Sequence, residues 1–251
     1  MGGASRGERK RRQDAAAQRL AAAGIQVPQK RSSPAPLIVI AVVVVAVLIG
    51  GVVLYMRNSS SGAAVTPTYT ATASGAVVTA ATGKAVIDVY EDFLCPNCEI
   101  FEKAFGNEIV SALNEGKLTV RYHSIAILDS RSTPPGYSTR AANAALCAVP
   151  AGIYPTYHQK LFASQPSEGS AGLTDAQLVQ FGTELGAKGD FAGCVTGAKN
   201  AAAVTAETNK AIADPALQTN GQFGTPTVAV KGAKIDLNNT NWLKDAIAAG
   251  R

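Results

Sequence analysis

Positive charge is scarce in this chain once its first 31 residues are set aside, and that shortage excludes a basic nucleic-acid-binding fold. The formal net charge is +5, and the excess lies in Arg6, Arg9, Lys10, Arg11, Arg12, Arg19, Lys30 and Arg31 against Glu8 and Asp14. Histidine is scarcer still: His123 and His158 are the only two, beside four cysteines, one Trp and two Met. A zinc knuckle needs a second ligand pair close to the first. Here the groups beyond the single Cys-x-x-Cys (Cys147, Cys194, His123 and His158) are widely spaced. No internal repeat is present. The apolar content of 47% is ordinary for a globular protein but unevenly distributed.

One absence is local. No charge interrupts residues 35–56, which read Ala-Pro-Leu-Ile-Val-Ile-Ala-Val-Val-Val-Val-Ala-Val-Leu-Ile-Gly-Gly-Val-Val-Leu-Tyr-Met. About 20 apolar residues at ~1.5 Å each match a hydrocarbon core of roughly 30 Å, so the stretch is expected to be a transmembrane helix. The competing reading is a cleaved signal peptide, whose apolar core is shorter, roughly 7–15 residues. Between Arg57 and Lys84 there is no basic residue. The positive-inside rule therefore places a basic tail, 1–34, in the cytoplasm and the rest outside a cell membrane crossed once. The tail needs no nucleic acid to explain it, only topology and attraction to anionic lipid. Residues 57–75, rich in Ser, Thr, Ala and Gly, are expected to be a flexible linker.

From residue 76 the pattern becomes globular. Lys84–Phe93 reads as a buried strand and Lys117–Ile127 as a second, alternating one. Between them Glu99–Phe105 and Ile109–Leu113 have helical spacing, with a break expected near Gly106-Asn107. Strand, helix, strand at this length is a βαβ unit with a parallel pair. A helical stretch follows: Ser138–Ala148, Tyr154–Ser164, Thr174–Gly186 with a capping box at Thr174-x-x-Gln177, and about Phe191–Ala213. Thr227–Val230 and Lys234–Leu237 read as a hairpin around Gly232, and a last helix runs from about Asn241 to Ala249. The fold class is thus α/β, in the order β-α-β, helical insertion, β-β-α.

Chemistry concentrates in Cys95-Pro96-Asn97-Cys98, directly after the first strand and at a helix start. Helix N-terminal amides and the dipole stabilise negative charge there, which makes Cys95 the candidate reactive sulfur. Cys98, one turn later, can resolve a mixed disulfide. Pro96 sits where a missing N–H costs nothing. Half a zinc site and a small structural disulfide are the alternatives; placement between strand and helix favours redox work.

These features resemble the DsbA family of thiol–disulfide oxidoreductases, particularly its membrane-anchored Gram-positive and actinobacterial branch. The resemblance rests on Tyr90-Glu-Asp-Phe-Leu-Cys-Pro-Asn-Cys98, Tyr157-His-Gln-Lys-Leu-Phe-Ala-Ser-Gln165, Phe191-Ala-Gly-Cys194 and Gly224-Thr-Pro-Thr227, in the family's order across residues 84–251. It implies a thioredoxin-like fold over 76–251, with an all-helical insertion at about 130–220, preceded by the transmembrane helix. It implies a cis Thr225–Pro226 bond facing Cys95, where the Thr225 backbone would bind extended substrate. It also implies a redox-active Cys95–Cys98 disulfide with no further cofactor and no metal. The implied substrates are unfolded or reduced exported proteins, and the implied reoxidant is a quinone-linked membrane protein of VKOR or DsbB type.

Two departures bear on the tuning of the site. Related oxidoreductases often carry a buried acid six residues before the first Cys, and here Val89 stands there; Glu91 and Asp92 lie nearer the motif as substitutes, and Asp92 resembles the acid common in this branch. Asn97 replaces a His found in well-known members and brings no positive charge. With the motif paired to itself, Cys147 and Cys194 are left for one another, expected as a structural disulfide, with two free buried thiols as the alternative. His158 and His123 are expected to be structural, and Trp242 to anchor the last helix. The expected function is a dithiol oxidase. A reductase or isomerase of the same fold and a non-catalytic surface-binding domain are the rivals.

Overall fold

A computed structural model of the chain describes residues 64–250. The expected tail (1–34), transmembrane stretch (35–56) and first part of the linker (57–63) lie outside the described residues. Among the described residues no helix is long and apolar enough to cross a membrane.

The described strands are β1 (Ala71–Ser74), β2 (Val77–Ala80), β3 (Ala85–Glu91), β4 (Leu118–Ser124), β5 (Thr227–Val230) and β6 (Ala233–Lys234). They form one sheet in the order β1-β2-β4-β3-β5-β6. The described helices are α1 (Pro96–Asn114), α2 (Tyr137–Ala148), α3 (Tyr154–Ala163), α4 (Asp175–Glu184), α5 (Phe191–Thr196), α6 (Ala201–Ala213) and α7 (Trp242–Ala249). β3 and β4 pair in parallel across α1, from Ala85 opposite Leu118 to Glu91 opposite Ser124. All other pairings are antiparallel. This is the thioredoxin-like arrangement, with α2 to α6 inserted between β4 and β5.

Strand periodicity divides the chemistry between the two faces of the sheet. Ile87, Val89 and Glu91 point to the face covered by α1 and α3, where Glu91 meets His158. Trp242 of α7 packs there against Phe101 and Phe105 of α1. Asp88 and Tyr90 point to the other face, beside α6. Asp88 accepts from Arg121 Nε and Nη2 at 2.6 Å each and faces His123 Nε2 at 3.0 Å, while His123 Nδ1 faces Glu207 of α6 at 2.7 Å. Burial opposes charge on His123, but carboxylates at both ring nitrogens outweigh it and raise its pKa. With a carboxylate at each ring nitrogen, His123 ties the insertion to the central strands.

Three expectations need correction. The break near Gly106 is absent: α1 runs through it, because Phe101, Ile109, Val110 and Leu113 form one continuous buried stripe. That burial outweighs the cost of about 1 kcal/mol for a helical glycine. The linker expected over 57–75 overlaps the sheet. Ala71–Ser74 pair with β2, and the amides of Val65 and Thr68 donate to Asn107 and Asn114 Oδ1 at 3.0 and 2.7 Å. A segment poor in large apolar residues is held there by its backbone hydrogen bonds. The helical stretch expected from about Phe191 to Ala213 is broken into two helices. Ala198 turns to φ 49°, and buried Asn143 of α2 binds both sides of the break. Its Nδ2 donates to the Val195 carbonyl at 3.1 Å and its Oδ1 accepts the Asn200 amide at 2.8 Å.

Candidate active site

Cys95 is the N-cap of α1 and Pro96 its first helical residue. The Cys95 carbonyl accepts the amides of Cys98 and Glu99 at 3.0 and 3.2 Å. Cys95 and Cys98 are both thiols and both buried, while Pro96 and Asn97 form the exposed rim.

The two sulfurs differ in environment. The Cys98 thiol, followed by the Thr225 hydroxyl and the amides of Cys98 and Asn97, favours a Cys95 thiolate; these donors overcome burial and bring its pKa down to about 6. In the thiol form Cys95 Sγ lies 3.3 Å from the Thr225 carbonyl oxygen. The Thr225 hydroxyl is buried and has no hydrogen-bond partner. Burial pushes Cys98 well above the ordinary thiol value, reinforced by the hydrogen bond it gives Cys95 and by the charge there. One sulfur is built to be an anion and the other to hold a proton.

Thr225 comes from a loop far along the chain. Its bond to Pro226 is cis, and the Thr227 hydroxyl donates to the Gly224 carbonyl at 2.7 Å. A cleft of about 330 Å³ opens beside the sulfur, bordered by Cys95, Asn97, Ile127, Leu128, Glu168 and Thr225. Asp92 is fully buried behind the motif. Its Oδ1 accepts the Leu94 amide and its Oδ2 the Leu128 amide, both at 2.9 Å, which clasps the motif to the segment after β4. Burial is the main reason its pKa rises to about 6. Cys147 of α2 and Cys194 of α5 form a disulfide, Cα–Cα 5.9 Å, away from the motif.

Sequence reasoning missed Gln165 and Glu102 here, and it weighed Glu91 only as a substitute for the acid absent at Val89. Gln165 Nε2 donates to the Cys95 carbonyl at 3.1 Å; it closes the Tyr157–Gln165 segment, and that position was the available signal. Glu91 is fully buried, with Oε1 2.5 Å from His158 Nε2. Glu102 completes that group, and its polar atoms lie within 4.8 Å of the other two. Two ligands about 2.0–2.2 Å from one metal ion stand farther apart than the 2.5 Å between Glu91 and His158 unless crowded well below a tetrahedral angle. As it stands, the cluster is a hydrogen-bonded acid–imidazole group.

Residues 73–249 match the family model described as Thioredoxin. Among curated proteins the chain is similar to the serine/threonine-protein kinase PknE of Mycobacterium tuberculosis, 31% identical over 176 residues, which is 67% of this chain and 31% of that protein. The chain thus spans about a third of the length of these curated relatives. Among solved structures, the reduced disulfide bond oxidoreductase DsbG of Mycobacterium tuberculosis is 33% identical, with TM-score 0.57, over 66% of this chain and 77% of that one. Reduced DsbA of the same organism is 28% identical, with TM-score 0.54, over 67% and 90%. The thiol–disulfide oxidoreductase MdbA of Corynebacterium diphtheriae shares the fold, with TM-score 0.62 at 20% identity over 73% and 95%.

Proposed function

The chain belongs to the thioredoxin family, among its DsbA-like thiol–disulfide oxidoreductases, and from that membership we propose that it is an extracytoplasmic dithiol oxidase working through Cys95 and Cys98. The observation that carries the direction is the asymmetry of the two sulfurs: Cys95 is favoured as thiolate and Cys98 as thiol. Stabilising the reduced pair makes its disulfide a stronger oxidant.

In the forward reaction a substrate thiolate attacks Cys95 Sγ of the Cys95–Cys98 disulfide. A substrate–Cys95 disulfide forms, the Cys95–Cys98 bond breaks, and Cys98 leaves as a thiolate that takes up a proton. A second substrate thiolate then attacks the substrate sulfur and expels Cys95. Its low pKa makes Cys95 a good leaving group. Two electrons pass from the substrate dithiol to the protein. Asp92, Thr225 and Gln165 position the reacting sulfur, and the cleft beside Thr225 suits an extended peptide recognised mainly through its backbone.

The uncharged run at 35–56 and the basic flank before it support a single-pass anchor with the N-terminus in the cytoplasm. Substrates would be reduced exported proteins. A quinone-linked membrane protein of VKOR or DsbB type would restore the disulfide, within reach of the tether. The kinase relatives share 31% of their length with this match, and phosphoryl transfer is no part of the reading.

The test is stoichiometric oxidation. Oxidised protein mixed with a reduced two-cysteine peptide is expected to yield one peptide disulfide per Cys95–Cys98 disulfide consumed, by mass spectrometry. Transfer that runs to completion in the opposite direction would favour a reductase. An inert pair would favour a binding domain.

A further inference from the structure

One charged side chain borders the cleft beside Cys95. Among the described residues that line it, Glu168 alone carries a formal charge when Cys95 and Cys98 are joined; Ile127 and Leu128 are apolar, and Asn97 and Thr225 are neutral. We propose, resting on the redox reading above, that Glu168 is a specificity-determining residue that favours substrates carrying Lys or Arg within two residues of the reacting cysteine.

The backbone around Glu168 is pinned on both sides. Three residues before it, Gln165 Nε2 donates to the Cys95 carbonyl at 3.1 Å. After it, the Gly169 amide donates to the Arg131 carbonyl at 2.6 Å, and the Ser170 carbonyl accepts the Thr133 amide at 2.8 Å. The Ser170 amide and hydroxyl both donate to the Ser167 carbonyl, at 3.2 and 2.7 Å, and close a turn around Glu168. Gly169 takes φ 83° in that turn, an angle glycine adopts at little steric cost. The segment is thus tied to the motif at one end and to the stretch after β4 at the other. The Glu168 side chain is exposed, and no ion pair among the described residues involves it. Arg131, whose carbonyl takes the Gly169 amide, enters none of those pairs either. A carboxylate held on the wall of a cleft with its charge unmatched is open to a cationic ligand, and its fixed backbone lowers the ordering cost of binding.

The preference follows from the charge on the attacking group. A substrate sulfur attacks as a thiolate, and Cys95 within its disulfide is uncharged, so Glu168 is the charge on the cleft wall that the incoming anion meets. A carboxylate repels that anion. A cation beside the substrate cysteine offsets the repulsion by pairing with Glu168, and an acidic neighbour adds to it. In an extended peptide the rise is about 3.3 Å per residue, so positions within two of the cysteine lie within about 7 Å of it. The long stem of a lysine or arginine covers the remaining distance. Backbone pairing at Thr225 accepts many sequences, and Glu168 ranks them. No bond forms or breaks at Glu168: the substrate thiolate attacks Cys95 Sγ and Cys98 leaves with the electron pair. Exposed ion pairs contribute little each, so the ranking is graded and not absolute.

Three reduced two-cysteine peptides that differ only in Lys, Gln or Glu on both sides of the first cysteine provide the test. The second-order rate at which each reduces the oxidised protein is followed by stopped flow at pH 7 in low salt. Each rate is divided by that of the same peptide with the uncharged reagent hydroxyethyl disulfide, which removes the effect of the flanking residues on the thiol itself. The unsubstituted protein is expected to favour the Lys over the Glu peptide by about tenfold, and by about twofold at about 0.5 M NaCl. Glu168→Gln is expected to bring the ratio to about 1 while the Gln peptide keeps its rate within about twofold, and Glu168→Lys to invert the ratio. Glu108→Gln, an equal change of charge at an exposed position of α1 outside the cleft, should leave the ratio as it was. A ratio unchanged in Glu168→Gln would overturn the proposal, as would a ratio near 1 in the unsubstituted protein. Absence of reaction with all three peptides would sink the redox reading and this proposal with it, whereas equal rates would sink the selectivity alone.

Discussion

Cys95→Ser is expected to lower dithiol oxidation by at least about 10³-fold, with the fold intact, whereas Cys98→Ser is expected to stop the reaction halfway. The two outcomes differ because the sulfurs do different work. Cys95 borders the cleft and carries the donors that favour its thiolate, so only it presents a sulfur to substrate. A serine oxygen there forms no disulfide and accepts no attack. Cys98 is fully buried one turn inside α1, and its loss leaves Cys95 able to join a substrate but unable to be released from it. Incubated with reduced peptide and an external oxidant, Cys98→Ser should accumulate a peptide adduct on Cys95, read by mass spectrometry and reversed by dithiothreitol. An adduct on Cys98 in the Cys95→Ser protein, at a comparable rate, would reverse the assignment.

Removing the other cysteine pair is expected to change stability and not chemistry. Cys147 and Cys194 are separated by 47 positions, and their bridge joins α2 to α5. Closing a loop of that size restricts the unfolded chain by about 3–4 kcal/mol in the chain-entropy model. Replacing both by alanine also leaves Asn200 Nδ2, which lies 3.4 and 3.6 Å from the two sulfurs, without them. Urea unfolding of the double substitution should show a lower midpoint and a loss of about 3–4 kcal/mol, while peptide oxidation below the transition keeps its rate. An unchanged midpoint, or a loss of activity in fully folded protein, would remove the bridge from its structural role.

How much of this was legible in the sequence depends on how local the signal is. The central strand, the motif and the helix it starts are adjacent in the chain, and buried strand, Pro96 and apolar spacing all agree there. Thr225 lies 130 positions from Cys95, and only the Gly-Thr-Pro-Thr segment pointed to it. Glu91 and His158 are 67 positions apart, and nothing in their surroundings marks them as a buried pair. Glu91 stood in the sequence beside Asp92 as a substitute for the acid absent at Val89, while His158 was expected only to be structural. Gly106 was misleading because glycine in a helix signals a break only where packing does not override it, and here the buried stripe of α1 carries the helix through. β1 escaped notice because Ala-Thr-Ala-Ser carries almost no alternation of hydrophobicity, and its place comes from pairing with β2. The Asp88–His123–Glu207 clamp was invisible because its three members come from two strands and a helix far apart in the chain.

The missing cation at Asn97 and the missing acid at Val89 do not leave the motif without tuning. Thr225, the Cys98 thiol and the helix-start amides serve the Cys95 thiolate, and Asp92 secures the turn that presents them. Of these donors only Thr225 comes from the distant loop; the Cys98 thiol and the amides of Cys98 and Asn97 belong to the start of α1.

The most direct test of the central claim, that a stabilised Cys95 thiolate makes this pair an oxidant, is the reduction potential of Cys95–Cys98 in glutathione buffers at pH 7. The expected value lies on the oxidising side of about −200 mV, with thiolate absorbance titrating near pH 6 in the same reduced protein. A potential near −270 mV, the region of a dedicated reductant, with a thiolate that appears only above about pH 8, would contradict it.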